Sequence, residues 1–352
     1  MATSKSFRTM LITVVVVVVV AELGARALQP HLPESVTWPS PFAQAKAESA
    51  AELGHIDVVV LGSSVANANL DPPAMVAGIP WADTGYNAAL PAESPLQWEL
   101  WARDVVFPDL CPTVLVIALS PRDTNDNLVD ADRDLERYRT ADGRLALYGV
   151  DSLAAQIERI STDVSAIVAL RERLREPANV WRYLRDGKVL GWPQLNLTAQ
   201  GRYRGFEDDQ SYRGNPERDE QLRQGALADY EVGQTIFGAL GRIIDTAQGQ
   251  GIAVVLVDMP SLTEELAAVL DDGFDDLARY REAIEALASR QEVPLLRYPE
   301  VNDDPGLFSD QYHMVGAGSA LLSELVGTDL GFTFPTQPNQ PTCAPRDPDA
   351  IP

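Results

Sequence analysis

Three apolar segments that lack alternation constrain the fold of this chain more than any other feature. They cover residues 58–61, 114–119 and 253–257. A strand that is exposed on one face alternates apolar and polar residues, so these largely β-branched runs indicate strands buried on both faces. Residues 82–86 and 294–297 form two shorter strand candidates. The pattern predicts a parallel sheet of five strands.

Helical patterns separate these strands. Leu277, Tyr280, Ile284 and Leu287 recur at helical spacing within one of them. The predicted helices cover residues 96–106, 230–248, 277–290 and about 316–326. Alternating strands and helices imply a parallel sheet with helices on both faces. We therefore expect a three-layer α/β/α fold with five parallel strands in a flavodoxin-like order.

The first predicted strand ends in the turn Gly62-Ser63-Ser64. Open α/β sheets bind ligands at the carboxyl ends of their strands, so Ser64 is a candidate nucleophile. The alternative is that this serine only caps a helix, a position where Ser is favoured. A short helix is predicted over residues 65–77, interrupted by Pro72-Pro73.

His313 is the best candidate for imidazole chemistry among the three histidines of the chain. It belongs to Asp310-Gln311-Tyr312-His313, in a loop between a strand and a helical run. A carboxylate three residues upstream can hold one ring nitrogen and leave the other free as a base. Asp310, His313 and Ser64 together would form a nucleophilic triad.

The Gly-x-Ser and Asp-x-x-His blocks resemble those of the SGNH (GDSL-like) hydrolases. The first block, which lacks the usual Gly-Asp-Ser, is more similar to membrane-anchored SGNH proteins that move acyl groups on cell-wall polymers and exopolysaccharides. The resemblance covers roughly residues 56–123 and 251–327. It implies that Ser64 is the nucleophile, His313 the general base and Asp310 the orienting carboxylate. An α/β-hydrolase nucleophile elbow fits less well, because Ser64 follows the first strand and the acid and base are three residues apart.

Two oxyanion-hole blocks of the family are matched in part. Asn87 is retained in Gly85-Tyr86-Asn87-Ala88-Ala89, and Ser120 stands where the family has asparagine. The Ser120 hydroxyl and the Arg122 guanidinium are candidate donors. The alternative for Arg122 is a local ion pair with Asp123.

Net charge and composition exclude some functions. The formal charge of −23 argues against nucleic-acid binding, which needs a basic face. The sequence shows no metal-ligand cluster or phosphate-binding loop, so we expect no metal and no cofactor.

Residues 1–28 combine Lys5 and Arg8 with an apolar run that includes seven valines. They predict a signal anchor or a signal peptide, for which Ala25-Arg26-Ala27 offers a cleavage pattern. We expect a single-pass membrane protein with its body outside the cytoplasm, the alternative being a secreted or periplasmic protein. Residues 29–49 are predicted to be a linker.

The two cysteines, Cys111 and Cys343, are predicted to form a disulfide bond, with two free thiols as the alternative. Cys111 precedes a strand and would therefore lie at the amino end of the sheet, away from the site. The bond would hold the Pro-rich tail, residues 331–352.

The remaining boundaries place the α/β domain at residues 50–123 and 229–330, with a mainly helical insertion at 124–228. The insertion leaves from the carboxyl edge of the sheet and is expected to lie over the site. Its aromatic and arginine side chains would either contact sugar rings or pack a small helical cap.

These expectations converge on a serine-dependent acyl-ester hydrolase or O-acyltransferase, with acetyl as the expected group. Its substrate would be an extracytoplasmic polysaccharide or other glycoconjugate, and the resemblance suggests a membrane O-acyltransferase as partner. The alternative is a catalytically silent SGNH-like binding module in envelope polymer assembly.

Overall fold

The computed structural model describes residues 2–28, 41–128, 157, 160–161, 164–170 and 196–343. The chain divides into two compact units. One contains residues 1–39, 136–194 and 352, and the other contains residues 40–135 and 195–351.

The second unit contains a parallel sheet of five strands in the order β2-β1-β3-β4-β5. The strands are β1 (Val58–Gly62), β2 (Gly85–Asn87), β3 (Val114–Leu119), β4 (Ala253–Asp258) and β5 (Leu295–Arg297). Every residue of β1 and β3 is buried, as their unbroken apolar sequences require. The parallel sheet and its flavodoxin-like order are confirmed.

Flanking helices complete the α/β/α architecture. The α-helices of the described residues are α1 (Ala2–Leu28), α2 (Pro41–Leu53), α3 (Ser64–Asn69), α4 (Pro72–Val76), α5 (Pro95–Trp101), α6 (Ala166–Ala169), α7 (Pro216–Gln224), α8 (Gln234–Gly249), α9 (Thr263–Val269), α10 (Phe274–Arg290) and α11 (Gly316–Thr333). A π-helical segment, Ala102–Leu110, follows α5, and 3₁₀ turns cover Pro121–Thr124, Asp126–Leu128 and Pro305–Leu307.

Helix α2 corrects the linker prediction for residues 29–49. The prolines of this region suggested an irregular segment, but Pro41 is the first residue of α2. Proline is favoured in the first turn of a helix, where its missing N–H has no partner to lose. Four alanines follow before residue 51 and favour continuation of the helix. Residues 29–40 lie outside the described part of the chain.

Helix α11 continues to Thr333, beyond the predicted end at residue 326 and into the predicted tail. Gly327 lowers helix propensity, which is why the sequence suggested an earlier end. In the structure a Cβ at Gly327 would lie 2.1 Å from the Met75 carbonyl oxygen. The glycine therefore allows α11 and α4 to approach closely.

The end of the predicted insertion belongs to the same unit as the sheet. Residues 196–215 contain no helix, and α7 follows them. The amide of Asn87 donates to the Gln200 carbonyl at 2.8 Å, and the amide of Tyr203 donates to the Asn67 carbonyl at 3.0 Å. These backbone contacts attach the segment to β2 and α3. Residues 129–156 and 171–195 of the insertion lie outside the described residues.

The first unit joins α1 to α6. The Glu22 carboxylate accepts hydrogen bonds from the Ala166 amide at 2.9 Å and from the Ser165 hydroxyl at 2.8 Å. Ala25 is buried against Ala166 and Leu170. Within α1, Thr9–Leu28 is long and apolar enough to cross a membrane, a test that a signal sequence also passes.

Cys111 and Cys343 form a disulfide bond with their Cα atoms 5.7 Å apart. Cys111 ends the π-helical segment before β3, and the Thr342 amide donates to the Gln250 carbonyl before β4. The bond therefore holds the C-terminal segment at the amino edge of the sheet, as expected.

Candidate active site

Ser64 lies at the carboxyl end of β1, where it begins α3. A Cβ at Gly62 would meet the Ala66 Cβ at 2.6 Å and the Ala118 carbonyl oxygen at 2.7 Å, so the close packing of this turn requires glycine. The N-cap is Ser63, whose hydroxyl oxygen accepts from the Val65 amide at 3.4 Å. The capping alternative thus applies to Ser63 and leaves the half-buried Ser64 hydroxyl available.

Ser64, His313 and Asp310 converge in the folded chain. The Ser64 Oγ lies 3.0 Å from His313 Nε2, and His313 Nδ1 lies 2.8 Å from Asp310 Oδ2. Both distances permit hydrogen bonds, although 249 residues separate Ser64 from His313. The arrangement has the geometry of a nucleophile, a base and an orienting carboxylate.

The loop itself holds Asp310 in place. Its Oδ1 accepts hydrogen bonds from the backbone amides of Tyr312 at 3.0 Å and His313 at 2.7 Å. Burial alone would raise the pKa of Asp310, but the charge and hydrogen bonds of His313 outweigh it, and the pKa falls to about 2. Asp310 therefore remains a carboxylate across the pH range in which imidazole can act as a base.

Among the candidate oxyanion-hole residues, Arg122 contacts Ser64. Its Nη1 donates a hydrogen bond to Ser64 Oγ at 2.9 Å. Because Arg122 can only donate, the Ser64 hydroxyl hydrogen is left to point at His313 Nε2. This assigns the Nδ1–H tautomer to His313, with its hydrogen directed at Asp310.

The other two predicted donors have structural partners instead. The side-chain amide of Asn87 donates to the carbonyls of Ala66 and Leu70, both at 2.9 Å. The Ser120 hydroxyl donates to Asp123 Oδ2 at 2.7 Å. In this geometry neither side chain has a free donor for an oxyanion, so Asn87 and Ser120 support the loops around the site.

Asp123 closes a buried network behind Ser64. Besides the Ser120 hydroxyl, the Ser120 amide donates to it at 3.0 Å, and Ser63 is a further hydrogen-bond partner. Burial raises the pKa of Asp123, and the nearby Arg122 opposes that rise. The network links the turn that carries Ser64 to the segment that carries Arg122.

Two residues of the predicted insertion contact the candidate triad. Phe206 belongs to the aromatic and arginine-bearing stretch that was expected to lie over the site, whereas Arg218 was not singled out from the sequence. The Phe206 ring stacks on the His313 imidazole, with 4.3 Å between ring centroids and 11° between planes. Arg218 on α7 places Nη2 3.5 Å from Asp310 Oδ2. The stacking of Phe206 on His313 and the approach of Arg218 to Asp310 are tertiary contacts, which no spacing in the sequence specifies.

A cavity of about 420 Å³ lies beyond Pro121, at the carboxyl ends of β4 and β5. Asp258 lines it and accepts hydrogen bonds from the Tyr280 hydroxyl at 3.0 Å and Arg297 Nε at 3.1 Å. Asp258 is therefore a partner of these two side chains.

No family model and no curated protein matches this chain by sequence. Among solved structures, it is similar to a candidate acylhydrolase from Bacteroides fragilis, with 13% identity over 84% of this chain and 98% of the other, at a TM-score of 0.41. It is also similar to a GDSL-like lipase from Bacteroides thetaiotaomicron, with 12% identity over 84% and 100% of the two chains, at a TM-score of 0.43. Likenesses at these values carry no argument about function.

Proposed function

We propose that the protein is a serine-dependent acyl-ester hydrolase or O-acyltransferase of the SGNH type. The observation that carries this proposal is the alignment of Ser64 Oγ, the His313 ring and the Asp310 carboxylate through contacts of 3.0 and 2.8 Å. The site lies at the carboxyl edge of a parallel sheet, where such folds perform their chemistry.

The reaction begins when Ser64 Oγ attacks the ester carbonyl carbon and His313 Nε2 takes the hydroxyl proton. The carbonyl oxygen becomes an oxyanion, and the C–O bond to the alcohol breaks as His313 returns the proton to that leaving group. In the second step His313 takes the proton of an acceptor hydroxyl, whose oxygen attacks the acyl carbon. The bond from that carbon to Ser64 Oγ then breaks, and His313 returns the proton to the serine oxygen. Water as acceptor gives hydrolysis, and a glycan hydroxyl gives acyl transfer.

Oxyanion stabilisation in this mechanism falls to Arg122 and the start of α3. Arg122 already donates to Ser64 Oγ, so its guanidinium lies beside the carbon that Ser64 attacks. The first N–H groups of a helix lack intrahelical partners and favour negative charge, and Ser64 is the first residue of α3. These donors would take the role that Asn87 and Ser120 do not fill.

An acetylated extracytoplasmic polysaccharide or related glycoconjugate is the proposed substrate. Two observations support it: the membrane-length helix at Thr9–Leu28, and the aromatic pair in which Tyr203 contacts Phe206 and Phe206 stacks on His313. The contact of Glu22 with α6 favours a retained anchor over a cleaved signal peptide. A membrane O-acyltransferase that supplies acyl groups is the proposed partner.

Hydrolysis of p-nitrophenyl acetate, measured with and without a soluble oligosaccharide acceptor, tests the proposal. A hydrolase releases acetate in both cases, whereas a transferase gives acetylated oligosaccharide detectable by mass spectrometry. An Arg122→Met variant should lose about 100-fold in kcat, as expected for removal of an oxyanion donor. Wild-type protein without either activity would contradict the proposal.

A second candidate is a silent binding module. The observation in its favour is that the side-chain donors of Asn87 and Ser120 are already committed to structural partners. It predicts binding of an acetylated oligosaccharide without turnover, which equilibrium dialysis beside the same assay would separate from catalysis.

A further inference from the structure

Lys46 on α2 is completely buried, although lysine is rarely found inside proteins. Its Nζ donates to Asn67 Oδ1 at 2.7 Å, to the Asn87 carbonyl at 2.8 Å and to the Ala89 carbonyl at 2.6 Å. Three oxygen acceptors match the three N–H groups of an ammonium. The cage therefore fits the protonated form of the side chain.

The described residues provide no carboxylate within ion-pair distance of Lys46. Burial lowers the pKa of its amine well below the usual value, which reflects the cost of keeping this charge away from water. A neutral amine has only two N–H groups for the three acceptors, so the three contacts favour the ammonium form despite this cost. Among the described residues, the partners of this ammonium are neutral oxygens.

The three acceptors place this ammonium between α3, which begins at Ser64, and the segment at the end of β2. Asn67 lies three residues after Ser64 on α3, and side chains at that spacing are neighbours on a helix. Asn87 ends β2, and Ala89 belongs to the loop that follows, whose Leu90 amide donates to the Gly62 carbonyl. Lys46 therefore connects the loop after β2 to the helix that begins at Ser64.

The geometry points to Lys46 as a positioning residue for Ser64. The Lys46 ammonium fixes α3 against residues 87–89 and favours the negative charge that forms on the substrate during acylation. This inference rests on the proposed function and deepens it, because it adds a cation that the reacting atoms do not touch.

Asn67 offers a variant that separates the charge of Lys46 from its hydrogen bonds. Asn67 is fully buried, and its Nδ2 lacks a hydrogen-bond partner among the described residues. Asn67→Asp keeps the shape and the oxygen that binds Lys46, but it neutralises the ammonium. The same substitution at Asn339, which is exposed in the C-terminal segment, is the matched control for net charge.

The experiment measures the rate at which a fluorophosphonate labels the full-length protein, together with the melting temperature. We expect Asn67→Asp to label about tenfold more slowly than wild type, with an unchanged or higher melting temperature. With p-nitrophenyl acetate the loss should fall on kcat and leave KM unchanged. Asn339→Asp should match wild type.

A stable Asn67→Asp variant that labels at the wild-type rate would overturn the inference and leave the proposed function standing. A wild type that is neither labelled nor active on the ester would contradict the proposed function and, with it, the inference that rests on it. Lys46→Met removes charge and hydrogen bonds together. If it folds, it should label at least as slowly as Asn67→Asp, and wild-type labelling of Lys46→Met would also overturn the inference.

Discussion

At the scale of single residues, the hydrogen-bond directions around Ser64 determine its chemistry. Arg122 donates to the Ser64 oxygen, which leaves the hydroxyl hydrogen for His313 Nε2. Asp310 accepts from the opposite ring nitrogen and from two backbone amides. Each group has one role, so loss of one should not be compensated by another.

Ser64→Ala and His313→Ala should each lower kcat at least about 1000-fold, and the double variant should fall no further, because nucleophile and base act as a unit. Ser63→Ala should stay within about tenfold of wild type, since Ser63 is buried and caps α3. Ester turnover by the four variants checks this. An inactive Ser63→Ala beside an active Ser64→Ala would mean that the nucleophile was misassigned.

Asp310 gives a prediction about stability and pH. The folded state holds its pKa at about 2, below the unfolded value near 3.8, so the ionised carboxylate favours folding. This contribution, roughly 2 kcal/mol in size, is complete above about pH 4 and disappears as the pH falls through about 2.

The measurement is chemical denaturation of wild type and Asp310→Asn between pH 2 and pH 7. The difference in unfolding free energy should be largest at neutral pH and shrink below about pH 4. A constant difference across this range would show that Asp310 does not contribute through its ionisation.

Some site residues could be predicted because their signals are local. Asp310 and His313 are three residues apart, and Ser64 directly follows a buried strand. Lys46 and Phe206 meet the site only through tertiary contacts, and no spacing in the sequence connects them to it. The sequence indicated Asn87 as a candidate, but the direction of its side-chain amide depends on the Ala66 and Leu70 carbonyls, which the sequence does not place.

At the scale of elements, residues 196–207 are the part of the predicted insertion that packs against the site. Arg202 anchors it, with Nε donating to the Ala68 carbonyl at 3.1 Å and Nη1 2.6 Å from Glu207. Glu207 in turn accepts from the Gly316 amide through its carbonyl at 3.2 Å. The segment thereby spans from α3 to the start of α11 and presents Phe206 to His313.

Phe206→Ala should reduce kcat about tenfold, because the imidazole loses the ring that fixes one of its faces. Stability should fall by about 1 kcal/mol, typical for an aromatic contact. Phe332→Ala is the control, because Phe332 is 79% exposed on α11. If the two variants retained equal activity, Phe206 would not position His313.

Element boundaries show where sequence patterns are reliable. The buried strands were predictable because both of their faces are apolar, and α10 because its apolar residues recur at helical spacing. Helix α2 was not predicted, because the prolines before residue 42 suggested an irregular linker, although proline also occurs in the first turn of helices. Gly327 suggested an early end of α11, but a glycine inside a helix can also allow close packing against a neighbouring element.

At the scale of the whole molecule, the disulfide and the triad occupy opposite ends of the sheet. Cys111 and Cys343 are joined at the amino edge, across a separation of 232 residues. On the chain-entropy model, a loop of this length stabilises the fold by at most roughly 5 kcal/mol. Its effect should be structural and independent of the chemistry at Ser64.

Reduction should therefore lower the melting temperature or release the C-terminal segment to protease, while ester turnover persists at a permissive temperature. Calorimetry and limited proteolysis with and without a reductant measure these effects. Loss of turnover without loss of stability would place Cys111 functionally at the site.

The central claim is that Ser64 is a nucleophile activated by His313. Mass spectrometry of the full-length protein after fluorophosphonate treatment tests it most directly, because it locates the adduct on one side chain. We expect one adduct on Ser64 in wild type and none in Ser64→Ala, with labelling at least about 1000-fold slower in His313→Ala. An adduct on Ser63, or a folded wild type that carries none, would contradict it.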